Sequence, residues 1–224
     1  MGRVRIVWGS GTGPTALASY DAALAAANVQ DYNLVRVSSV LPVDTTVSLA
    51  GTAPDLGPVG GKLTVVEARG TTAWTRSEDS ENPPTRPAEG TTDYQSTSAG
   101  LGWAQAASGR GTVYEATGTD REAVHEGIDA GLRAGCALRE LTPAHTDRVV
   151  LSADGGTERI ETDNEGDLPS SNGPRYASIN ADRSAPPTSR SENDVSRGTN
   201  TDRSEGRHLT AVVLAVYGES DPIF

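Results

Sequence analysis

The chain has 224 residues, enough for one ordinary domain or for a smaller one carrying insertions. Its 30 acidic residues outnumber 19 basic ones, and a net charge of -11 excludes nucleic acid and anionic membranes as partners, since both need a positive surface. Lys62 is the only lysine, and with many small Ala, Gly and Thr residues the acidic excess fits a cytosol crowded with salt, where carboxylates stay hydrated and ions screen their repulsion.

Apolar periodicity predicts a first strand from Val4 to Trp8. The stretch Gly9-Ser10-Gly11-Thr12-Gly13-Pro14 follows, and then a helix with Pro14 near its first turn and Leu17, Tyr20, Leu24 and Ala27 on one face. Asp21 lies at the edge of that face. A phosphate-binding reading of the glycines fails: the stretch lacks a P-loop lysine, has no third glycine at dinucleotide spacing, and puts Pro14 where a cradle needs backbone donors.

A second strand runs from Leu34 to Val40 and a third from Leu63 to Glu67. Leu101 to Ala107 reads as a weak helical stretch, and Thr112 to Ala116 as a strand. A second helix starts at Thr119, whose hydroxyl caps it while Glu122 answers, and runs to about Leu138. Val124, Ile128 and Leu132 recur at helical spacing before Cys136, so this lone cysteine reads as a buried apolar thiol and no internal disulfide is possible. Strands from Arg148 to Leu151 and from Leu209 to Tyr217 complete the order.

Two segments, 76–98 and 152–207, are rich in Ser, Thr, Asp, Glu, Arg, Pro and Gly, and their sparse apolar residues follow no period. They are expected to be polar insertions on the surface of a single domain, leaving a folded part of roughly 150 residues. His125, His145 and His208 are too scattered for a metal site and are expected at the surface. Trp8, Trp74 and Trp103 are expected to anchor the core or an interface. No signal peptide is visible and no apolar run approaches the roughly 18 residues that span a bilayer, so a cytoplasmic location is expected.

The run Asn33-Leu34-Val35-Arg36-Val37-Ser38-Ser39-Val40-Leu41-Pro42 carries the chemistry. If the Ser39 hydroxyl attacks the Ser38 carbonyl, the backbone becomes an ester, eliminates, and leaves a pyruvoyl group at residue 39, which is an electron sink. Such a rearrangement needs a donor aimed at the developing oxyanion, and the Asn33 amide is a candidate. Six strand residues separate the two, so direct contact requires a neighbouring chain or loop.

This run resembles the processing strand of the pyruvoyl-dependent arginine decarboxylases, in which the second serine becomes the pyruvoyl group. Thr15-Ala16-Leu17-Ala18-Ser19-Tyr20-Asp21-Ala22-Ala23-Leu24 is similar to that family's substrate helix, Val113-Tyr114-Glu115 to the strand with its proton donor, and Ala211 to Tyr217 to its closing strand. The chain departs from the family's pattern at Val43, where a second proline is expected, and in its two polar insertions.

The resemblance implies an α/β protein, an α/β/β/α sandwich with antiparallel-rich sheets, assembled as a trimer of processed protomers with sites between neighbours. It implies self-cleavage at Ser38 and Ser39 into residues 1–38 and 39–224, helped by Asn33. It further implies a Schiff base between the pyruvoyl ketone and the substrate amine, protonation of the product carbon by Glu115, and a bidentate contact of Asp21 with the guanidinium of arginine. The cofactor would be the pyruvoyl group derived from Ser39, with no metal and no pyridoxal phosphate, and the activity would be decarboxylation of L-arginine to agmatine. A pyruvoyl decarboxylase for another amino acid, and an unprocessed homologue that binds a small ligand without catalysis, remain alternatives at this point.

Overall fold

A computed structural model describes residues 2–74, 96–154, 157–163 and 207–223. Most of the insertions expected at 76–98 and 152–207 therefore lies outside the described residues, as does the side chain of Trp74. The elements in chain order are β1 (Gly2–Gly13), α1 (Ala16–Ala26), β2 (Asn33–Arg36), β3 (Val40–Leu41), β4 (Thr45–Gly51), β5 (Lys62–Trp74) and β6 (Thr97–Gln105). There follow β7 (Gly111–Gly118), α2 (Arg121–Leu138), β8 (His145–Ala153), β9 (Glu158–Thr162) and β10 (Arg207–Tyr217).

The strands form two five-stranded sheets, ordered β2-β5-β10-β1-β4 and β3-β7-β6-β8-β9. Among the described strands only the β1–β4 and β2–β5 pairings are parallel. Period-two alternation gives each sheet an inner and an outer face. Val4, Ile6, Val66, Ala68, Val213 and Ala215 from the first sheet meet Leu101, Trp103, Val113, Val149 and Leu151 from the second in one buried core. On the outer faces, α1 covers Val65, Val212 and Leu214 with Ala23, Leu24 and Ala27, while α2 covers Val150 with Val124, Ile128, Leu132 and Cys136. The result is the α/β/β/α sandwich that the resemblance implied. No helix among the described residues is long and apolar enough to cross a membrane.

The expected strands are present except that Leu34 to Val40 is divided into two, and several are longer than the sequence indicated. The glycine-rich stretch belongs to β1, which continues to Gly13 instead of looping. Its glycines let α1 lie directly on the strand: a Cβ on Gly11 would fall 2.5 Å from Ala22 Cβ and from Ala23 N. That close seat also turns α1, so its buried residues are Ser19, Ala23 and Leu24, whereas Leu17 is 67% exposed.

Leu101 to Ala107 is not helical; it belongs to β6. Ala99, Leu101 and Trp103 alternate with Gly100 and Gly102, and the glycines leave room for Ile128 of α2. α2 is capped by Asp120 rather than Thr119, its carboxylate accepting from the N–H groups of Glu122 at 2.7 Å and Ala123 at 3.2 Å. A charged acceptor at the positive end of a helix explains the preference. β4, with no prediction behind it, forms the edge of the first sheet beside β1, and β9 lies within the stretch expected as the second insertion. Trp103 is buried and Trp8 packs partly buried against the same core.

Candidate active site

The run expected as one strand from Leu34 to Val40 is divided between the two sheets. β2 ends at Arg36, Val37 still donates its N–H to Val65 O at 3.0 Å, and by Val40 the chain pairs with Thr112 of β7. Ser38 and Ser39 are therefore the crossover between sheets, where neither ladder dictates their conformation. Val40 N–H donates to Ser38 O at 2.8 Å, closing a tight turn around Ser39.

Three elements converge on this turn. Ser39 Oγ donates to Glu115 Oε2 at 3.0 Å, joining two residues 76 positions apart. Glu115 follows Val113 by two on β7, which places it on the inward-facing side at the end of the sandwich. The Ser39 carbonyl accepts from Thr112 Oγ1 at 2.9 Å and from Val113 N–H at 3.1 Å. From the other sheet, the Tyr217 hydroxyl of β10 donates to Val40 O at 3.2 Å. Burial, and then the nearby Glu115 carboxylate, push the Tyr217 phenol up to about 12.

Glu115 is exposed and Ser39 only half-buried, so the site opens on the surface of a single chain. Around it Val35, Val37, Val40 and Val43 are all exposed, a density of apolar side chains that a solvated rim does not need.

The other two residues read from the sequence stand apart from this group within one chain. Asn33 begins β2, at the far end of that strand from Ser39, and its amide donates to Gly60 O at 2.7 Å. Asp21 is exposed on α1 and makes no hydrogen bond or ion pair among the described residues. Its neighbour Tyr20 lies beneath the Arg69 guanidinium, 4.3 Å from ring centroid to Arg69 Cζ. Arg36 Nε pairs beside it with Glu67 Oε2, whose side chain is 1% exposed. Burial, then Glu67, raise the Tyr20 phenol to about 12, and Glu67 holds the Arg36 guanidinium above its ordinary value.

Sequence reasoning missed Thr112, the Val113 N–H and Tyr217 as members of the site. Thr112 and Tyr217 both border stretches that the family pattern picks out, but their hydrogen bonds depend on the crossover between sheets, which has no signature in one sequence.

A cleft of about 650 Å³ lies elsewhere, between α2 and β8–β9, and shares no residue with the Ser39 group. Several of its charges are paired: Arg148 with Asp129 at 2.6 Å and Asp163 at 3.1 Å, and Glu161 with Arg121 at 2.8 Å, while Glu122 and Glu126 also line it. His125, expected at the surface, is half-buried there because β9 covers it, with Nε2 3.2 Å from Glu161 Oε2. Such pairing suits a network that fastens β9 to α2. Cys136 is a buried free thiol, pushed up by burial and drawn back partly by Arg139. Among the described residues no group of three or more His, Cys, Asp or Glu side chains is placed to hold a metal ion.

Comparison with known proteins identifies the family. The model of the pyruvoyl-dependent arginine decarboxylase family matches residues 3–78, which include both serines and the α1 helix. Proteins named pyruvoyl-dependent arginine decarboxylase from two strains of Halobacterium salinarum, R1 and NRC-1, are each 38% identical over 225 residues. The alignments cover 100% of this chain and 99% of each relative, insertions included. Identity of that extent, with paired serines at the crossover and a carboxylate on Ser39, shows that the chain belongs to the pyruvoyl-dependent arginine decarboxylases, a family of lyases.

Proposed function

We propose that this chain decarboxylates L-arginine to agmatine, using a pyruvoyl group that it makes by cutting its own Ser38–Ser39 peptide bond. The observation that carries the reading is the Ser39 hydroxyl donating to the Glu115 carboxylate at 3.0 Å beside a carbonyl gripped by two donors. A hydroxyl next to a carboxylate is an activated nucleophile. The peptide carbonyl it would attack, that of Ser38, is already polarised by Val40 N–H at 2.8 Å. These residues fit a pyruvoyl group at position 39, since its formation consumes only the serine itself. That group supplies a ketone that condenses with the substrate α-amine and takes up the electron pair released with carbon dioxide.

The remaining roles fall to the chain's own side chains. Glu115, next to position 39, is placed first to receive the Ser39 hydroxyl proton and later to return a proton to the product carbon. Asp21, exposed and without a partner among the described residues, offers both carboxylate oxygens to a guanidinium. Both the open site and the exposed valines around it support a homo-oligomer, read as a trimer, in which a neighbouring copy walls the site. In that arrangement Asn33, at the far end of β2 from Ser39, helps processing from another chain through the amide N–H that it does not give to Gly60 O.

Protein purified in high salt should give two species by intact-mass spectrometry and denaturing gel, residues 1–38 and 39–224, the larger carrying a carbonyl that borohydride or a hydrazine traps. A single uncut chain would remove the enzyme reading. Carbon dioxide release should follow arginine and not histidine, aspartate or lysine; release from one of these instead would keep the chemistry and replace the substrate.

A further inference from the structure

Cutting a peptide at serine comes in two chemically different halves. In the first, Ser39 Oγ bonds to the Ser38 carbonyl carbon, the C–N bond breaks, and the hydroxyl proton ends on the freed amine, leaving an ester. In the second, a base removes the Cα proton of residue 39, the Cβ–O bond breaks, and Ser38 departs as a carboxylate. The resulting dehydroalanine tautomerises and adds water, releasing ammonia and leaving the ketone. No oxidant or reductant enters.

The two halves build negative charge on different oxygens. Attack puts it on Ser38 O; loss of the Cα proton puts it on Ser39 O, because that carbonyl is conjugated with the carbanion. Thr112 Oγ1 and Val113 N–H both address Ser39 O, at 2.9 and 3.1 Å, and neither touches Ser38 O. The Thr112 hydroxyl proton is directed there because its other acceptor, Val113 O, lies farther off at 3.4 Å. Thr112 is 2% exposed, so the donor works out of water, where a hydrogen bond to a developing charge is strongest. The Val113 N–H bond is available to any residue at that position, whereas the hydroxyl bond is extra and specific to Thr112.

We propose that Thr112 Oγ1 and Val113 N–H form a two-donor cradle that stabilises the enolate-like charge on the carbonyl of residue 39. This makes Thr112 a further catalytic residue, acting on the elimination half of self-cleavage. The inference rests on the self-cleavage reading above.

The test compares wild type with Thr112→Val, which keeps the shape and deletes the hydroxyl, Thr112→Ala, and Thr112→Ser, which restores the donor. Each protein is made in high salt, its melting recorded, and its cleavage followed by intact-mass spectrometry with and without hydroxylamine, which splits esters and marks Ser38 as a hydroxamate. Thr112→Val and Thr112→Ala should cut about 10- to 100-fold more slowly than wild type and accumulate hydroxylamine-sensitive chain, while Thr112→Ser cuts at close to the wild-type rate. Cutting of Thr112→Val at the wild-type rate overturns the cradle. So does slow cutting with only hydroxylamine-resistant chain, because that places Thr112 before the ester. Wild type that never cuts defeats the self-cleavage reading itself, a result distinct from a cut wild type with an unaffected variant.

Discussion

Ser39 and Glu115 meet only in the folded chain, and each has its own expected loss. Ser39→Ala should leave the chain whole on a denaturing gel, because the hydroxyl proposed to attack the Ser38 carbonyl is then missing. Glu115→Gln keeps a hydrogen-bond partner for Ser39 but loses the base and the acid, so cleavage and turnover should each fall by about 10²-fold or more. The sequence reading placed Glu115 in turnover alone; its 3.0 Å contact with the unreacted hydroxyl is the observation behind the further role in processing proposed above. The tyrosines set a pH dependence. Tyr20 and Tyr217, with phenols raised to about 12, favour the neutral form in the fold, whereas unfolded tyrosine titrates near 10. Their contribution is fully present below about pH 10 and is lost as pH rises toward 12. Urea titrations across that window should show stability falling with pH, and Tyr217→Phe should flatten the fall.

Elements hold the site through their ends and their seats. Asp120 fastens the first turn of α2, and Asp120→Ala should lower unfolding free energy by about 1 kcal/mol in chemical denaturation. α1 is seated by the absence of side chains beneath it. Gly11→Val should push α1 off β1 and lower the melting temperature by far more than the cap does. The elements differ in how plainly the sequence announced them. α2 was legible because Val124, Ile128, Leu132 and Cys136 repeat at helical spacing and all four are buried. β6 was misread because Gly100 and Gly102 hide an alternation whose empty positions are filled by another element. α1 was placed correctly, and of its expected face Leu24 and Ala27 are buried and Tyr20 packs partly buried beside them; Leu17 alone is exposed, since glycines on β1 seat the helix through its later turns. The paired serines were legible as a chemical possibility, while the break between β2 and β3 that frees them arises from pairing with β5 and β7, strands far along the chain.

At the scale of the molecule, charge and connectivity govern behaviour. With 30 acidic residues against 19 basic ones, folding concentrates like charge, and salt screens it. The melting temperature should rise steadily from about 0.1 M toward molar potassium chloride, and a flat or falling profile would contradict the reading of the composition. Cutting after Ser38 detaches β1, α1 and β2 from the rest, yet β1 stays hydrogen-bonded between β10 and β4, and α1 remains packed on the first sheet. The two pieces should co-elute in native size-exclusion chromatography and part only in denaturant. β10 follows every other described strand in the chain but takes a central place in the first sheet, and its Tyr217 grips the Val40 carbonyl, one residue beyond Ser39. A nascent polypeptide whose β10 is still inside the ribosome has no finished first sheet and an unsupported crossover. If the Ser38–Ser39 bond is cut as proposed, the cut should wait until β10 has emerged and paired, long after both serines have left the exit tunnel.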